Sequence, residues 1–298
     1  MILEILATVA PVLAIIAIGF AWARLGLPFD SPTIGSLVLR IGTPCLIFST
    51  LTTAEVSPAA VGAIALAAAC VIAVATLVGI VVLRIAGLPL HTWLMTAMFG
   101  NTGNMGLPLC AMVFGPDGLT FGIVVFLVTS ISQNTLGLVV SAGRVEVASL
   151  VRQPVVWASA VSVALLVADL RAPTWIERTT TLVGGIVIPS MLLLLGVSLA
   201  KMKVADLRIA SGMAVLRLSA GAVGALATIA ALGLEGAQAG VVFVMATMPA
   251  AIVSVIFAER FGRSPERIAG VIVVSTLGTL AALPVIVFVA LRIAAATG

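Results

Sequence analysis

The chain has 298 residues, of which 62% are hydrophobic and only 9% are charged, and its formal net charge is +4 at pH 7. Soluble proteins carry about 25% charged residues, so this chain has too few charges to cover the surface of a soluble globule. The composition predicts an integral membrane protein with no soluble domain. The surplus Arg and Lys are then orientation signals in short loops rather than a nucleic-acid surface.

Apolar stretches follow one another along the whole chain. A helix needs about 20 apolar residues to cross the hydrocarbon core of a bilayer. On this measure the sequence predicts ten spans, separated by turns rich in Pro and Gly. In chain order they are residues 3–23, 33–53, 58–84, 91–114, 118–141, 153–170, 180–200, 208–232, 236–258 and 267–292.

Basic residues in the short connections predict how the spans are oriented. Most of the Arg and Lys follow the odd-numbered spans, whereas the connections after the even-numbered spans hold Arg171 and Arg178, with Arg292 near the C-terminus. Cytoplasmic loops carry the excess of positive charge, so we expect the odd connections in the cytoplasm. Both termini then lie on the non-cytoplasmic side of a multi-pass protein in the cell inner (plasma) membrane.

Short motifs recur along the chain at a nearly constant spacing. The matching pairs are Pro44 with Pro189, Pro108 with Pro249, and Ser130 with Ser275, at separations of 145, 141 and 145 residues. Five spans per copy is an odd number, which forces the two copies to face opposite ways. The sequence therefore predicts an inverted repeat, with residues 1–143 and 144–298 as its halves, and such repeats support alternating access.

Residues that interrupt helices lie inside two of the predicted spans. The fourth span holds Asn101-Thr-Gly-Asn104, then Gly106 and Pro108, and the ninth holds Thr247-Met-Pro249. Lipid cannot satisfy the backbone groups that such breaks release, so they persist only inside protein or beside a wet cavity. Interrupted helices in matching positions of two halves are typical of a transporter binding site.

Each break is expected to start a new half-helix that points its N-terminus at the bilayer centre. Pro108 and Pro249 suit the first helical position because the N–H that they lack would be unpaired there. Free N–H groups and a partial charge of about +0.5 at each N-terminus would form an anion cradle without a formal charge. Asn101 and Asn104 add polar groups, and Ser254 lies one turn beyond the second break. The alternative is a packing kink whose Asn side chains only cap loose backbone.

Further polar side chains lie at membrane depth in neighbouring spans. Ser130, Gln133 and Asn134 of the fifth span either bridge helices by hydrogen bonds or line a pathway. Thr43 and Pro44 of the second span are candidates for the side walls of the site.

Two arginines, Arg40 and Arg217, fall inside predicted spans. A charge within a span suggests a functional role, but long Arg side chains near a span end also snorkel to the head groups, and we favour snorkelling for both. No acidic residue lies near mid-membrane, the single histidine is at a span border, and the three cysteines fit no metal site. We therefore expect no metal, no cofactor and no catalytic group of an intramembrane enzyme.

The break motifs resemble the auxin efflux carrier family, which includes bacterial permeases of the malonate and malate type. The resemblance rests on Asn101-Thr-Gly-Asn-Met-Gly-Leu-Pro108, on Pro44-Cys-Leu-Ile-Phe48, and on Met248-Pro-Ala-Ala-Ile-Val-Ser254 followed by Ala258-Glu-Arg-Phe-Gly262. It implies an all-α fold of ten transmembrane helices in a 5+5 inverted repeat, divided into a scaffold part and a transport part.

The same resemblance implies broken helices four and nine that cross at Pro108 and Pro249, with an organic anion beside them. It implies that Asn104 is the crossover asparagine that touches substrate. Thr247 stands where plant members carry a polar residue, often Asn, and their acidic support site has no equivalent here.

These observations together predict a secondary transporter, not an enzyme, for a small organic anion. The expected substrate is a mono- or dicarboxylate such as malonate or malate, or an auxin-like acid. The alternatives are a sodium-coupled symporter of the bile-acid type, with Na⁺ at the polar cluster of the fifth span, and a membrane sensor or channel. The expected partners are the substrate and the lipid bilayer, and a homodimer is left open.

Overall fold

The computed structural model describes residues 2–54, 56–142, 153–168 and 170–297. Within these ranges the chain is helical, and the β-type pairing found there is one isolated bridge. The predicted junction between the two repeats, at residues 143 and 144, lies outside the described residues.

The first part of the chain forms six α-helices and two π-helical turns. They are α1 (Ile2–Arg24), α2 (Ser31–Leu37), a π turn (Val38–Gly42), α3 (Thr43–Thr53), α4 (Pro58–Ile85), α5 (Leu90–Met98), a second π turn (Thr102–Gly106) and α6 (Leu107–Ala142). Helix α6 contains one non-helical residue, Gly115, with φ of 64° and ψ of −146°. The chain folds back at this residue, since a Cβ on Gly122 would lie 3.3 Å from the side chain of Leu107 and 3.4 Å from that of Cys110. The turn predicted between the fourth and fifth spans is therefore present at Gly115.

The remaining described chain forms seven more α-helices. They are α7 (Pro154–Val167), α8 (Thr174–Gly184), α9 (Val187–Lys201), α10 (Leu207–Leu232), α11 (Gly236–Ala246), α12 (Val253–Phe261) and α13 (Pro265–Thr297). The predicted ninth span is thus divided between α11 and α12, with an extended segment between them.

Seven helical segments within the described residues are long and apolar enough to cross a membrane, by length and composition. Ten spans were predicted, and the difference has local causes. Residues 102–141 count as one segment, although two helices meet there at the non-helical Gly115. Helix α7 has only 14 residues, and the breaks leave α5, α11 and α12 with 9, 11 and 9 residues. The all-helical membrane architecture is confirmed, and the count of ten remains a prediction.

Helix starts follow the capping chemistry of the sequence. The side chains of Asp30, Ser57 and Asp206 accept hydrogen bonds from the backbone N–H of Thr33, Ala60 and Ile209 at the starts of α2, α4 and α10. Such caps satisfy N–H groups that have no partner within the helix, so these elements begin at the predicted turns.

The helices pack in two groups. In the first group α1 packs along α9, and α3 packs on both α7 and α8. In the second group α10 packs on α4 and α13, and α11 packs on α6 and α13. Glycines allow α1 and α9 to approach each other closely. A Cβ on Gly19 would overlap the carbonyl of Leu193, and a Cβ on Gly196 would overlap the carbonyl of Ile16. The second π turn packs on α9 and so lies where the two groups meet.

Candidate functional site

The two predicted breaks lie against each other and form an antiparallel pair. The backbone N–H of Asn101 donates to the carbonyl of Pro249 at 2.7 Å, and the N–H of Ala251 donates to the carbonyl of Phe99 at 3.0 Å. Gly100 and Ala250 face each other between these bonds. Backbone groups released by one break are thus satisfied by the other, as buried peptide groups require.

A glycine is required at the centre of the first break. A Cβ on Gly100 would lie 2.9 Å from Nη2 of Arg217 and 3.2 Å from the carbonyl oxygen of Met248. The close approach of the two chain segments therefore depends on the missing side chain.

Arg217 of α10 is buried between the breaks, with 2% of its surface exposed. Its Nε donates to Met248 O at 3.2 Å, its Nη2 donates to Ala246 O at 2.6 Å, and its Nη1 donates to Ala97 O at 2.9 Å and to Met98 O at 3.4 Å. Hydrogen bonds from a charged group contribute about 1.5–3 kcal/mol each. This single side chain therefore ties the ends of α5 and α11 together.

The expectation that Arg217 snorkels was wrong. Snorkelling relieves a charge that has no partner in the membrane, but here the carbonyls of two helix ends accept its N–H groups. Arg40 lies exposed in the first π turn, so its snorkelling stays a prediction.

The half-helix after the first break begins earlier than predicted. Asn101 caps the second π turn, accepting a hydrogen bond at Oδ1 from the N–H of Asn104 at 3.3 Å, and Thr102 is the first helical residue. Asn is among the best N-cap residues, so the start lies at Asn101 and not at Pro108. Pro108 falls in the first turn of α6, where the preceding π turn relieves the clash that its ring makes in a regular helix.

The half-helix after the second break begins later than predicted. Helix α12 starts at Val253, with Ile252 as its N-cap, and Pro249 lies in the extended segment before it. The carbonyl of Pro249 is held by the N–H of Asn101, so pairing with the first break keeps this stretch out of the helix. Ser254 is buried in the first turn of α12, and none of the described residues forms a hydrogen bond with its hydroxyl.

The membrane transport protein family matches this chain over residues 4–147 and 138–287. The chain belongs to this auxin efflux carrier-like family of membrane transport proteins. The predicted resemblance is therefore confirmed. An uncharacterized transporter of Methanothermobacter thermautotrophicus is 28% identical over 295 residues, which cover 93% of this chain and 95% of the relative.

Asn101 and Asn104 occupy different places in this transporter. Asn101 lies at the point where the breaks pair, with 6% of its surface exposed, and its buried Nδ2 donor has no hydrogen-bond partner in the described part of the chain. Asn104 lies within the π turn, is half-buried, and its side chain makes no hydrogen bond with the described residues. The asparagine at the crossing point is thus Asn101, and the helix N-terminus that it caps also presents the unpaired N–H groups of Thr102 and Gly103.

Two of the predicted candidates, Thr247 of the second break and Gly106 of the first, have structural roles. The hydroxyl of Thr247 donates to the carbonyls of Phe243 and Val244 within α11, at 2.9 and 3.1 Å. Gly106 of the first break packs so closely on α11 that a Cβ there would press on the sulfur of Met245. Both residues therefore shape the crossing of the backbone, and the hydroxyl of Thr247 is already used within α11.

The polar cluster of the fifth predicted span lies on α6 beyond the breaks. The amide of Asn134 donates to the carbonyl of Ser130 at 2.9 Å, within the same helix, and Gln133 is half-buried. Among the described residues, the hydrogen bonds of this cluster run back to α6, so helix bridging does not explain it.

Thr43 and Pro44 begin α3, directly after the first π turn. The hydroxyl of Thr43 is buried and has no hydrogen-bond partner among the residues that the structure describes. The residue before it, Gly42, faces the start of α9, since a Cβ on Gly42 would lie 2.8 Å from the side chain of Val187. Both π turns pack on helix α9, so the first π turn, which Thr43 follows, lies one helix away from the second.

The sequence indicated no role for Ser275 of α13 beyond its match to Ser130 in the repeat. In the structure its hydroxyl accepts a hydrogen bond from the N–H of Ala250 at 3.2 Å and donates to Ile272 O at 3.1 Å. Ser275 therefore anchors the second break to α13.

A small cavity lies beside the crossing, with a volume of about 20 Å³. Gly100, Thr102, Thr129 and Arg217 supply the polar part of its lining. A buried water needs roughly 10–15 Å³ on the same measure, so this cavity has room for about one water molecule and none for an organic acid.

Proposed function

We propose that this protein is a secondary transporter that carries a small organic anion by alternating access, with the anion bound beside the paired breaks. The observation that carries the proposal is the buried Nδ2 of Asn101, a donor without a partner at the point where two interrupted helices meet. An unpaired donor inside a membrane protein is costly, and an acceptor from the substrate would satisfy it.

The helices support a ten-span arrangement with a 5+5 inverted repeat. In this reading α5 with the first turns of α6 forms the fourth span, the rest of α6 after Gly115 forms the fifth, and α11 with α12 forms the ninth. The antiparallel pairing of the two breaks is what an inverted repeat with crossed fourth and ninth helices requires.

The anion is held by neutral donors at the start of the second π turn. These are the Nδ2 of Asn101, the N–H groups of Thr102 and Gly103, and the side chain of Asn104. A helix N-terminus carries about half a positive charge and binds carboxylates. Arg217 is not a ligand in this proposal, because helix-end carbonyls accept its hydrogen bonds. The substrate is a mono- or dicarboxylate of the malonate or malate type.

Alternating access uses the boundary between the two helix groups. The second π turn belongs to the α4–α6 part of the fold and packs on α9 of the other group. A shift of one group along the other would carry the bound anion past α9, and Thr43 and Pro44 lie on that side. The cavity of about 20 Å³ at the crossing is too small for the substrate, so the anion must enter from the boundary.

Malonate and its neutral diamide provide the test. Purified protein is titrated with each compound while the melting temperature is followed, since a ligand of the folded state raises it. Malonate is expected to bind at least about tenfold more tightly than malonamide, a difference of about 1.4 kcal/mol. Equal binding of the diamide would refute the anion cradle.

Uptake into proteoliposomes then tests transport itself. Labelled malonate is expected to enter with saturable kinetics and to show counter-transport, which a channel does not. Uptake that required Na⁺ would favour the bile-acid type of symport instead. Flux that rose linearly with malonate concentration would contradict a carrier.

A further inference from the structure

Four backbone carbonyls converge where α5 and α11 end. Their oxygens belong to Ala97, Met98, Ala246 and Met248, and all of them accept hydrogen bonds from Arg217. No carboxylate of the described residues is paired with this guanidinium, although it is buried. The counter-charge must therefore come from the backbone.

The ends of the two helices supply that counter-charge. The last carbonyls of a helix have no partner within it, and together they carry about −0.5 of an elementary charge. Two such ends at one place sum to roughly −1, which balances one guanidinium. Without a cation, two negative helix ends would face each other in a medium of low dielectric constant, where repulsion is strong.

We infer that these four carbonyl oxygens form a cation site at the crossing of the breaks, and that Arg217 occupies it as a cation tethered to α10. Arg217 is a positioning residue: it holds the two breaks together and does not touch the transported anion. This cation site is formed by the backbone of the breaks and does not depend on which substrate the protein carries.

The surroundings of the guanidinium fit a site built for it. The planar fork offers five N–H donors in fixed directions, and the four carbonyls take Nε and both terminal nitrogens. Two glycines leave space for the guanidinium. A Cβ on Gly100 would lie 2.9 Å from Nη2 of Arg217, and one on Gly221 would lie 3.3 Å from it. A tethered cation cannot dissociate, so the breaks stay paired without a bound metal ion.

Chemical rescue of Arg217→Ala tests this inference. The variant is expected to melt at least about 5 °C below the wild type, because a loss of several kcal/mol shifts melting by this much or more. Millimolar methylguanidinium chloride should then restore most of the lost melting temperature in a saturable way, because it refills the carbonyl site. Choline chloride at the same concentration controls for ionic strength and offers no N–H groups.

Arg40→Ala is the matched control, because Arg40 also lies in a helical segment but is exposed. Neither this variant nor the wild type should respond to methylguanidinium. An Arg217→Ala variant that melts like the wild type, or one that methylguanidinium does not stabilise, would overturn the inference.

Two further variants decide the question if Arg217→Ala does not yield folded protein. Arg217→Lys keeps the charge and Arg217→Met keeps a long apolar stem without it. The lysine variant is expected to retain more folded, monodisperse protein and a higher melting temperature. A methionine variant as stable as the lysine variant would show that the site needs no cation.

Discussion

The backbone N–H of Asn101 donates to the carbonyl of Pro249 at 2.7 Å, although the two residues come from opposite halves of the chain. Each residue belongs to a stretch that cannot continue its own helix. The bond shows that neither break is complete alone, because each supplies the partners that the other lacks. The polar centre of this membrane protein is therefore built from two distant segments at once.

Asn104→Ala should weaken malonate binding about ten- to hundredfold, since a hydrogen bond to a charged group contributes about 1.5–3 kcal/mol. The melting temperature of the free protein should hardly change, because the Asn104 side chain has no hydrogen bond to lose among the described residues. Binding is measured by titration of the purified variant. Asn134→Ala is the comparison variant. The amide of Asn134 already donates within α6, so this variant should bind malonate like the wild type. Wild-type binding in Asn104→Ala would mean that this residue does not touch the anion.

Gly221→Ala should destabilise the protein although alanine is the better helix former. A Cβ at this position of α10 would overlap the carbonyl of Ala246, a backbone group that cannot move aside. Gly212 lies on the same helix, and a Cβ added there would meet nothing within 4 Å. Gly212→Ala should therefore be neutral or stabilising by up to about 1 kcal/mol. Thermal unfolding of the two variants, side by side, measures the difference, and equal melting temperatures would contradict the close packing of α10 on α11.

Ser275→Ala should lower stability by about 1–3 kcal/mol, because it leaves the buried N–H of Ala250 without an acceptor. The adjacent Thr276 is equally buried, but its hydroxyl forms no hydrogen bond with any described residue. Thr276→Val keeps the shape and removes only an unsatisfied group, so it should be neutral or stabilising. Thermal unfolding in detergent is again the measurement. A Thr276→Val variant that lost more stability than Ser275→Ala would refute the role of Ser275 as an anchor.

Reporter fusions should find the connection at Lys203 in the cytoplasm and the connection at Gly233 outside. Lys203 lies between α9 and α10, in a connection rich in basic residues, and Gly233 ends α10 with a φ of 59°. A phosphatase reporter is active only outside and a fluorescent protein only inside, so each site is tested with both. The opposite pattern would reverse the orientation that the basic residues predict.

Much of this architecture could be predicted from local sequence. The low content of charged residues and the apolar stretches indicate a membrane protein, because a charged side chain inside the bilayer is costly. The interruptions near Asn101 and Pro249 are visible as Asn, Gly and Pro within apolar stretches, because those residue types break helices in any context. The same motifs carried the resemblance to the transport family that the comparison confirmed.

The starts of the half-helices were less predictable. Prolines suggested them, but Asn101 caps the first one and the pairing with Asn101 delays the second until Val253. A cap depends on the conformation of its own turn, and an extended segment depends on the chain that pairs with it. The residue types alone therefore predict neither the cap at Asn101 nor the extended segment before Val253.

The role of Arg217 was decided only by tertiary structure. In the sequence Arg217 lies close to the predicted start of its span, and from that position alone snorkelling is the reasonable expectation. The carbonyls that bind it come from α5 and α11, and their negative ends exist only because both helices stop at the crossing. Residue types determine where a helix can break, whereas long-range packing determines which buried groups then meet, because a hydrogen bond depends on distance and direction between atoms that the sequence keeps far apart.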